Sequence, residues 1–73
     1  MSPKFPRLKA LEIIRVLRKN GFVHVSTKGS HQKWRNETTE KQVIVPVHKG
    51  KDLPLGTLKS IIDGSGIPLE DWK

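Results

Sequence analysis

The sequence between residues 22 and 47 is FVHVSTKGSHQKWRNETTEKQVIVPV. Apolar and β-branched residues alternate with polar ones through much of this stretch, which is typical of half-buried β-strands. Polar turn residues divide it, and we predict strands at residues 23–27, 31–36 and 42–47. Gly29 tolerates the positive φ of a tight turn, so the three strands are expected to form an antiparallel meander.

A one-sided helix is predicted before the meander, over residues 7–20. Its apolar residues recur at spacings of three and four: Ala10, Ile13, Ile14 and Leu17. Gly21 suits the left-handed residue that follows the end of such a helix, and Phe22 is expected to fold back onto Leu17.

A second helix is predicted after the meander, beginning near Pro54 and ending at Gly64 or Gly66. Its apolar stripe is formed by Leu55, Leu58, Ile61 and Ile62. Residues 67–72 are expected to form one more helical turn that docks Trp72 on the core.

The order helix, three strands, helix predicts an α+β fold in a single small domain over residues 1–73, with a core at about 7–72. Both helices are expected on one face of a three-stranded antiparallel sheet. Two helices can cover only one face of such a sheet, so the other face must be open or covered by a partner.

The register of the strands determines which side chains the uncovered face carries. If Gly29 and Ser30 form the first turn, Val25 lies opposite Trp34, and Val23 shares their side facing the helices. The valines at 43, 45 and 47 are expected to join this side. The predicted open face then carries His24, Ser26, Lys28, His31, Lys33, Arg35, Ile44, Pro46 and His48.

Charge and composition narrow the classes of partner. The 73 residues include 14 Lys and Arg against 7 Asp and Glu, a formal net charge of +7, which favours a polyanionic partner. The chain has no cysteine, which excludes disulfides and thiolate chemistry. No apolar run reaches the length of a membrane span, and residues 1–6 lack the apolar core of a signal peptide, so we expect a cytoplasmic protein with no membrane association.

Three histidines on one basic face, beside a Gly-Ser turn, are compatible with a phosphate site that has acid/base capacity near neutral pH. The simpler interpretation is a solvated strand face with surface histidines. Histidines without a carboxylate cluster make a poor magnesium site, and we expect neither a metal nor another cofactor.

Four short motifs occur in order along the chain: Gly21-Phe22, Lys28-Gly29-Ser30-His31, Val45-Pro46-Val47-His48, and LGTLKSII at residues 55–62. Together they resemble the HicA toxin family, also described as YcfA-like, over residues 7–72. This resemblance implies a fold similar to the double-stranded RNA-binding domain, a ribosome-independent endoribonuclease that cleaves mRNA, and a HicB-type antitoxin that neutralises it.

The resemblance places the family's catalytic histidine at His31, with Gly29 and Ser30 in the same motif. His48 matches a recurrent histidine, whereas His24 has no counterpart. Candidates to assist His31 are His48, Ser30 and Lys33. The residues expected to bind single-stranded mRNA are Lys28, Gly29, Ser30, Lys33, Arg35 and Lys49.

Several alternatives stay open at the level of sequence. The domain could bind RNA without cleaving it, or it could be a protein-interaction domain, which the predicted exposure of Ile44 and Pro46 would also suit. His48 could pair with His31 as acid and base, or it could only begin the loop before the second helix. An antitoxin on the open face would cover Ile44, Pro46 and His31 together.

Overall fold

The helices and strands occur in the predicted order in the computed structural model, which describes residues 6–73. The elements are helix α1 at Ala10–Lys19, strands β1 at Phe22–Lys28, β2 at His31–Asn36 and β3 at Gln42–Pro46, helix α2 at Leu55–Ser65, and a 3₁₀ turn at Leu69–Trp72. This order confirms the predicted α+β class. Residues 1–5, where the sequence lacks a signal-peptide pattern, lie outside the described residues.

The sheet is antiparallel with strand order β1-β2-β3, and both helices pack on one of its faces. Trp34, Val43 and Val45 contribute the sheet's side of the core. The buried apolar cluster comprises Leu8, Ala10, Ile13, Ile14, Leu17, Phe22, Trp34, Val43, Val45, Leu53, Leu58, Ile61, Ile62, Ile67 and Trp72. The predicted two-layer arrangement is therefore confirmed.

Helix α1 begins at Ala10, three residues later than predicted. The backbone before it pairs with the loop that precedes α2. Leu53 N–H donates to Leu8 O at 2.9 Å, and the backbones of Lys9 and Asp52 form an isolated antiparallel β-bridge. Lys9 N–H also donates to the Glu12 carboxylate at 3.0 Å, which satisfies one backbone donor at the start of the helix.

The predicted ends of the helices and the predicted position of the C-terminal tryptophan are confirmed. Gly21 has φ +86° and is followed by the buried Phe22, while Gly66 has φ +70° and ends α2. Trp72 is 2% exposed, and its indole N–H donates to Ile67 O at 3.4 Å. This bond ties the 3₁₀ turn to the residue that follows α2.

Strand β1 contains a β-bulge that the sequence analysis did not predict. The pairs Lys28 with His31 and Ser26 with Lys33 follow the predicted register, but the register shifts between His24 and Ser26. His24, not Val25, therefore lies opposite Trp34. Val23 and His24, which precede the bulge, therefore each face the side opposite to the predicted one.

The bulge resolves a conflict between two predictions about adjacent residues. Without it, Val23 would face the helices and Phe22 would face away. With it, Phe22 is 3% exposed in the core, while Val23 and Val25 are 44% and 51% exposed. The observed register therefore buries the aromatic side chain and leaves the two smaller valines half exposed.

Asn36 connects three parts of the fold through its buried side chain. Its Nδ2 donates to Asn20 O at 2.9 Å, at the end of α1. Its Oδ1 accepts from the N–H groups of Thr38 and Thr39 at 2.9 and 3.1 Å, in the turn between β2 and β3. A Cβ on Gly21 would lie 3.3 Å from Asn36 Nδ2, so a glycine at that position leaves room for the amide.

Asn36→Ala is expected to lower the free energy of unfolding by about 2–3 kcal/mol, because three hydrogen bonds are lost and their partners lie near the core. Asn36→Asp is also expected to destabilise the protein, because the carboxylate keeps both acceptor interactions but turns an oxygen towards Asn20 O, where two acceptors repel each other. Urea unfolding followed by circular dichroism measures both.

Thr38→Ala is the control for Asn36→Ala, because it keeps the Thr38 backbone N–H that Asn36 accepts. Its stability should stay within about 0.5 kcal/mol of the unmodified protein. Equal losses for Asn36→Ala and Thr38→Ala would contradict the role assigned to Asn36.

Candidate nucleic-acid interface

The sheet face opposite the helices is formed by three rows of paired residues, one from each strand. Going across the sheet, the rows are Lys28, His31 and Pro46; Ser26, Lys33 and Ile44; and Val23, Arg35 and Gln42. We call these nine residues the open face. Successive side chains of β2 on this face are two residues apart, so they stand about 7 Å from one another.

Most of the predicted open-face residues lie where the strand register placed them, with three corrections in β1. Val23 lies on the open face instead of in the core, and Val25, also predicted to face the helices, is the bulged residue and is 51% exposed. His24 lies on the helix side, where its ring meets the Trp34 ring edge-on at 5.5 Å and its Nε2 lies 2.6 Å from Thr27 Oγ1. The bulge causes all three changes, and it removes His24 from the histidine group predicted for the open face.

His31 is exposed at the first position of β2, directly after the Gly29-Ser30 turn. Within residues 6–73 its imidazole makes no hydrogen bond or ion pair, so both ring nitrogens can meet a ligand. Gly29 has φ +59°, and a Cβ there would meet no atom within 4 Å, so a ligand can approach the backbone of the turn closely.

His31 and Pro46 lie close together across the sheet. Val47 N–H donates to Ser30 O at 2.7 Å and Asn36 N–H donates to Lys41 O at 2.8 Å, which fixes the alternation of hydrogen bonds between β2 and β3. His31 and Pro46 consequently form a non-hydrogen-bonded pair, whose Cα atoms are typically about 4.5 Å apart. The Pro46 ring therefore forms a rigid wall beside the imidazole.

The cations of the open face differ in their environments. Lys33 is half-buried in the middle row, between Ser26 and Ile44. Arg35 lies 3.6 Å from the Glu40 carboxylate, with the two side chains 43% and 78% exposed. An ion pair this exposed contributes little stability, so the guanidinium can exchange Glu40 for a phosphate at small cost.

Apolar side chains are interspersed with these cations. Val23, Ile44 and the bulged Val25 are 44%, 46% and 51% exposed. The open face therefore offers both positive charge and apolar area.

His48 and Lys49 lie beyond β3, in the loop that leads to α2. Val47 extends the pairing with β2 by one hydrogen bond and packs against the core, and Lys51 N–H then donates to His48 O at 3.3 Å. His48 lies two residues beyond Pro46, the partner of His31. In the described residues, neither imidazole is bonded to the other.

A groove of about 250 Å³ opens beside this loop, and the sequence analysis did not predict it. It is lined by His48, Lys51, Asp52, Leu53 and Pro54. Its wall is held by the pairing of Lys9 with Asp52 and of Leu8 with Leu53. This contact joins segments more than forty residues apart, and no local sequence signal announces it.

Residues 6–73 contain neither a cluster of metal-ligating side chains nor a membrane-spanning helix. No three His, Asp or Glu side chains in this part of the chain are grouped so that they could hold one metal ion. Neither helix there has the length and apolar character needed to cross a bilayer.

The chain matches a known protein family over most of its length. A family model described as the HicA toxin of bacterial toxin-antitoxin systems matches residues 10–67. The matched span begins with α1 and ends just after α2, so it contains the whole sheet, His31 and the groove. No curated protein was found to match the chain.

Proposed function

The chain belongs to the HicA toxin family of bacterial toxin-antitoxin systems, and we propose that it is an endoribonuclease that cleaves single-stranded mRNA without the ribosome. In this proposal it acts in the cytoplasm, with His31 as general acid or base. The observation that carries the proposal is the position of His31, exposed beside the Gly29-Ser30 turn on a face that also carries Lys28, Lys33 and Arg35.

The proposed reaction is attack of a ribose 2′-oxygen on the adjacent phosphorus. The 2′-oxygen to phosphorus bond forms, the bond from phosphorus to the leaving 5′-oxygen breaks, one proton leaves the 2′-hydroxyl and one is delivered to the 5′-oxygen. His31 makes one of these two transfers, which is worth roughly 10²- to 10⁴-fold in rate. His48, Ser30 and Lys33 are the candidates to assist with the other.

The other predicted site residues have electrostatic roles in this proposal. Lys33 lies one row from His31, where its ammonium can stabilise the negative charge that develops on the phosphoryl oxygens. Lys28, Arg35 and Lys49 contact neighbouring phosphates, and the backbone of Gly29 and Ser30 receives the phosphate nearest His31.

We further propose that a HicB-type antitoxin covers the open face. Apolar residues on and beside this face, Val23, Val25 and Ile44, are each about half exposed, and Val23 and Ile44 lie next to Arg35 and Lys33. A partner that buries them must also cover His31, because His31 and Ile44 belong to adjacent rows of the same face. One contact surface would thus both stabilise the domain and block access of RNA.

His31→Ala is expected to abolish RNA cleavage and growth arrest with little change in stability, because the exposed imidazole supports no core contact. Cleavage of a labelled single-stranded RNA should fall about 10²-fold or more, and a thermal melt should stay close to that of the unmodified protein.

His24→Gln is the matched control for His31→Ala, since it also removes an imidazole from the sheet but on the helix side. It should keep cleavage within a few-fold. RNA that stays uncut by the unmodified protein, although bound, would support the alternative of a non-catalytic RNA-binding module. Loss of activity in His31→Ala through unfolding alone would remove the support for catalysis.

Lys33→Glu, in a His31→Ala background, is expected to weaken binding of single-stranded RNA to a similar extent for different sequences. If three to five phosphates are contacted, log K should fall against log salt with a slope of about −2 to −3.5, and Lys33→Glu should make the slope shallower. Lys19→Glu changes the net charge equally at the end of α1 and should leave the slope unchanged. A slope near zero for the parent protein would mean that the basic face is only solvated.

The antitoxin complex is expected to melt at a higher temperature than the free domain and to cleave no RNA, because a ligand of the native state raises its apparent stability. Ile44→Asp should weaken the complex, whereas Leu11→Asp, on the helix layer and 70% exposed, should not. Titration calorimetry and a cleavage assay measure these effects. Cleavage that persists at saturating antitoxin would contradict coverage of the open face.

A further inference from the structure

The groove beside the loop after β3 is lined by both apolar and polar side chains. Leu53 is buried, and Pro54 and His48 contribute rings. Its volume of about 250 Å³ is smaller than the roughly 300–1,000 Å³ of pockets that enclose drug-sized ligands, so it suits one planar ring system.

The charged residues of this loop favour a nucleic-acid strand as the ligand: the lysines attract its phosphates, and Asp52 can accept hydrogen bonds from a base. Lys51 lines the groove and Lys49 lies two residues before it in the chain, so this loop supplies positive charge, which suits phosphates. The Asp52 carboxylate lines the same groove and, within residues 6–73, makes no ion pair or hydrogen bond through its side chain. A carboxylate here repels phosphates and accepts N–H groups, so it discriminates between the two ends of a nucleotide.

The groove lies close to the proposed cleavage site along the chain. Val47 N–H is bonded to Ser30 O, directly before His31 in the chain, and the groove begins at the next residue, His48. Pro46, the partner of His31, is two residues from His48, which is at most about 7 Å of extended chain. An RNA strand crossing His31 can therefore place a neighbouring base at the groove.

The groove is also rigid enough to select a ligand. Asp52 is paired with Lys9 through the backbone, and Leu53 N–H is bonded to Leu8 O, so both lining residues are fixed to the segment before α1. Because backbone hydrogen bonds to a second segment hold this wall in place, little conformational entropy is lost when a base binds. A preorganised wall of this kind favours specific binding.

We propose that this groove binds one nucleobase of the single-stranded RNA, stacked on His48 and Pro54, with Asp52 accepting hydrogen bonds from the base edge. Guanine is the preferred base, because its Watson-Crick edge presents adjacent ring N–H and exocyclic NH₂ donors to a two-oxygen acceptor. This inference rests on the proposed function and adds the base preference of the same site.

The test measures binding without cleavage, in the His31→Ala background, using oligouridine probes that carry a central guanosine, inosine or uridine. The guanosine probe should bind about tenfold more tightly than the uridine probe, and the inosine probe should lie between them because it lacks the exocyclic amine. Asp52→Asn should abolish the preference. Asp71→Asn, which removes a carboxylate on the 3₁₀ turn, should preserve it.

Two further variants test the phosphate contact and the stacking contact of the groove separately. Lys51→Ala should weaken binding of all three probes equally, because it removes a phosphate contact. His48→Ala should weaken the guanosine probe by about fivefold or more through loss of stacking. This loss cannot reflect proton transfer, since the background does not cleave.

Equal affinity of the parent for all three probes overturns the groove proposal while leaving the endoribonuclease proposal in place. An equal gain for all probes in Asp52→Asn also overturns it, because the carboxylate would then act only by repelling phosphates. If the His31→Ala protein binds none of the probes, the proposed function fails and the groove inference fails with it.

Discussion

Two helices can bury only one face of a three-stranded sheet, and this constraint governs the organisation of the protein. The helix side collects Trp34, Val43 and Val45 into the core, and polar side chains with a net positive charge are left on the other side. Lys33 and Arg35 cannot face the helices without burying charge, which fixes the register of β2. The surface available to a partner is thus a consequence of how the core is formed.

The sequence was sufficient to predict the element order, the Gly29-Ser30 turn and the pairing of β2 with β3. These features depend on local turn chemistry and on alternation, which are properties of neighbouring residues. The orientation of Val23 and His24 was predicted wrongly because Phe22 belongs to two patterns at once, as the residue after a helix end and as the start of a strand. The bulge keeps Phe22 buried after the end of the helix and shifts the alternation of the strand residues that follow it.

Other features depend on contacts between distant parts of the chain. Asn36 is buried because it bonds Asn20, sixteen residues away, and nothing in its immediate sequence distinguishes it from a turn asparagine. The start of α1 and the wall of the groove both follow from the pairing of Leu8 with Leu53. His31, Lys28, Lys33 and Arg35 were placed correctly since they needed only the strand register, whereas the surroundings of His48 needed the tertiary contact.

The edges of the sheet affect the tendency of the free domain to aggregate in solution. Both β1 and β3 are edge strands, whose outward backbone groups could template pairing with another sheet. Val47 N–H points inward to Ser30, so by alternation the nitrogen of Pro46 points outward, where proline has no hydrogen to donate. On the opposite edge the bulge interrupts the row of backbone groups in β1. Irregular edges of this kind oppose fibril-like stacking, so the features that shape the open face also protect the uncomplexed domain from aggregation.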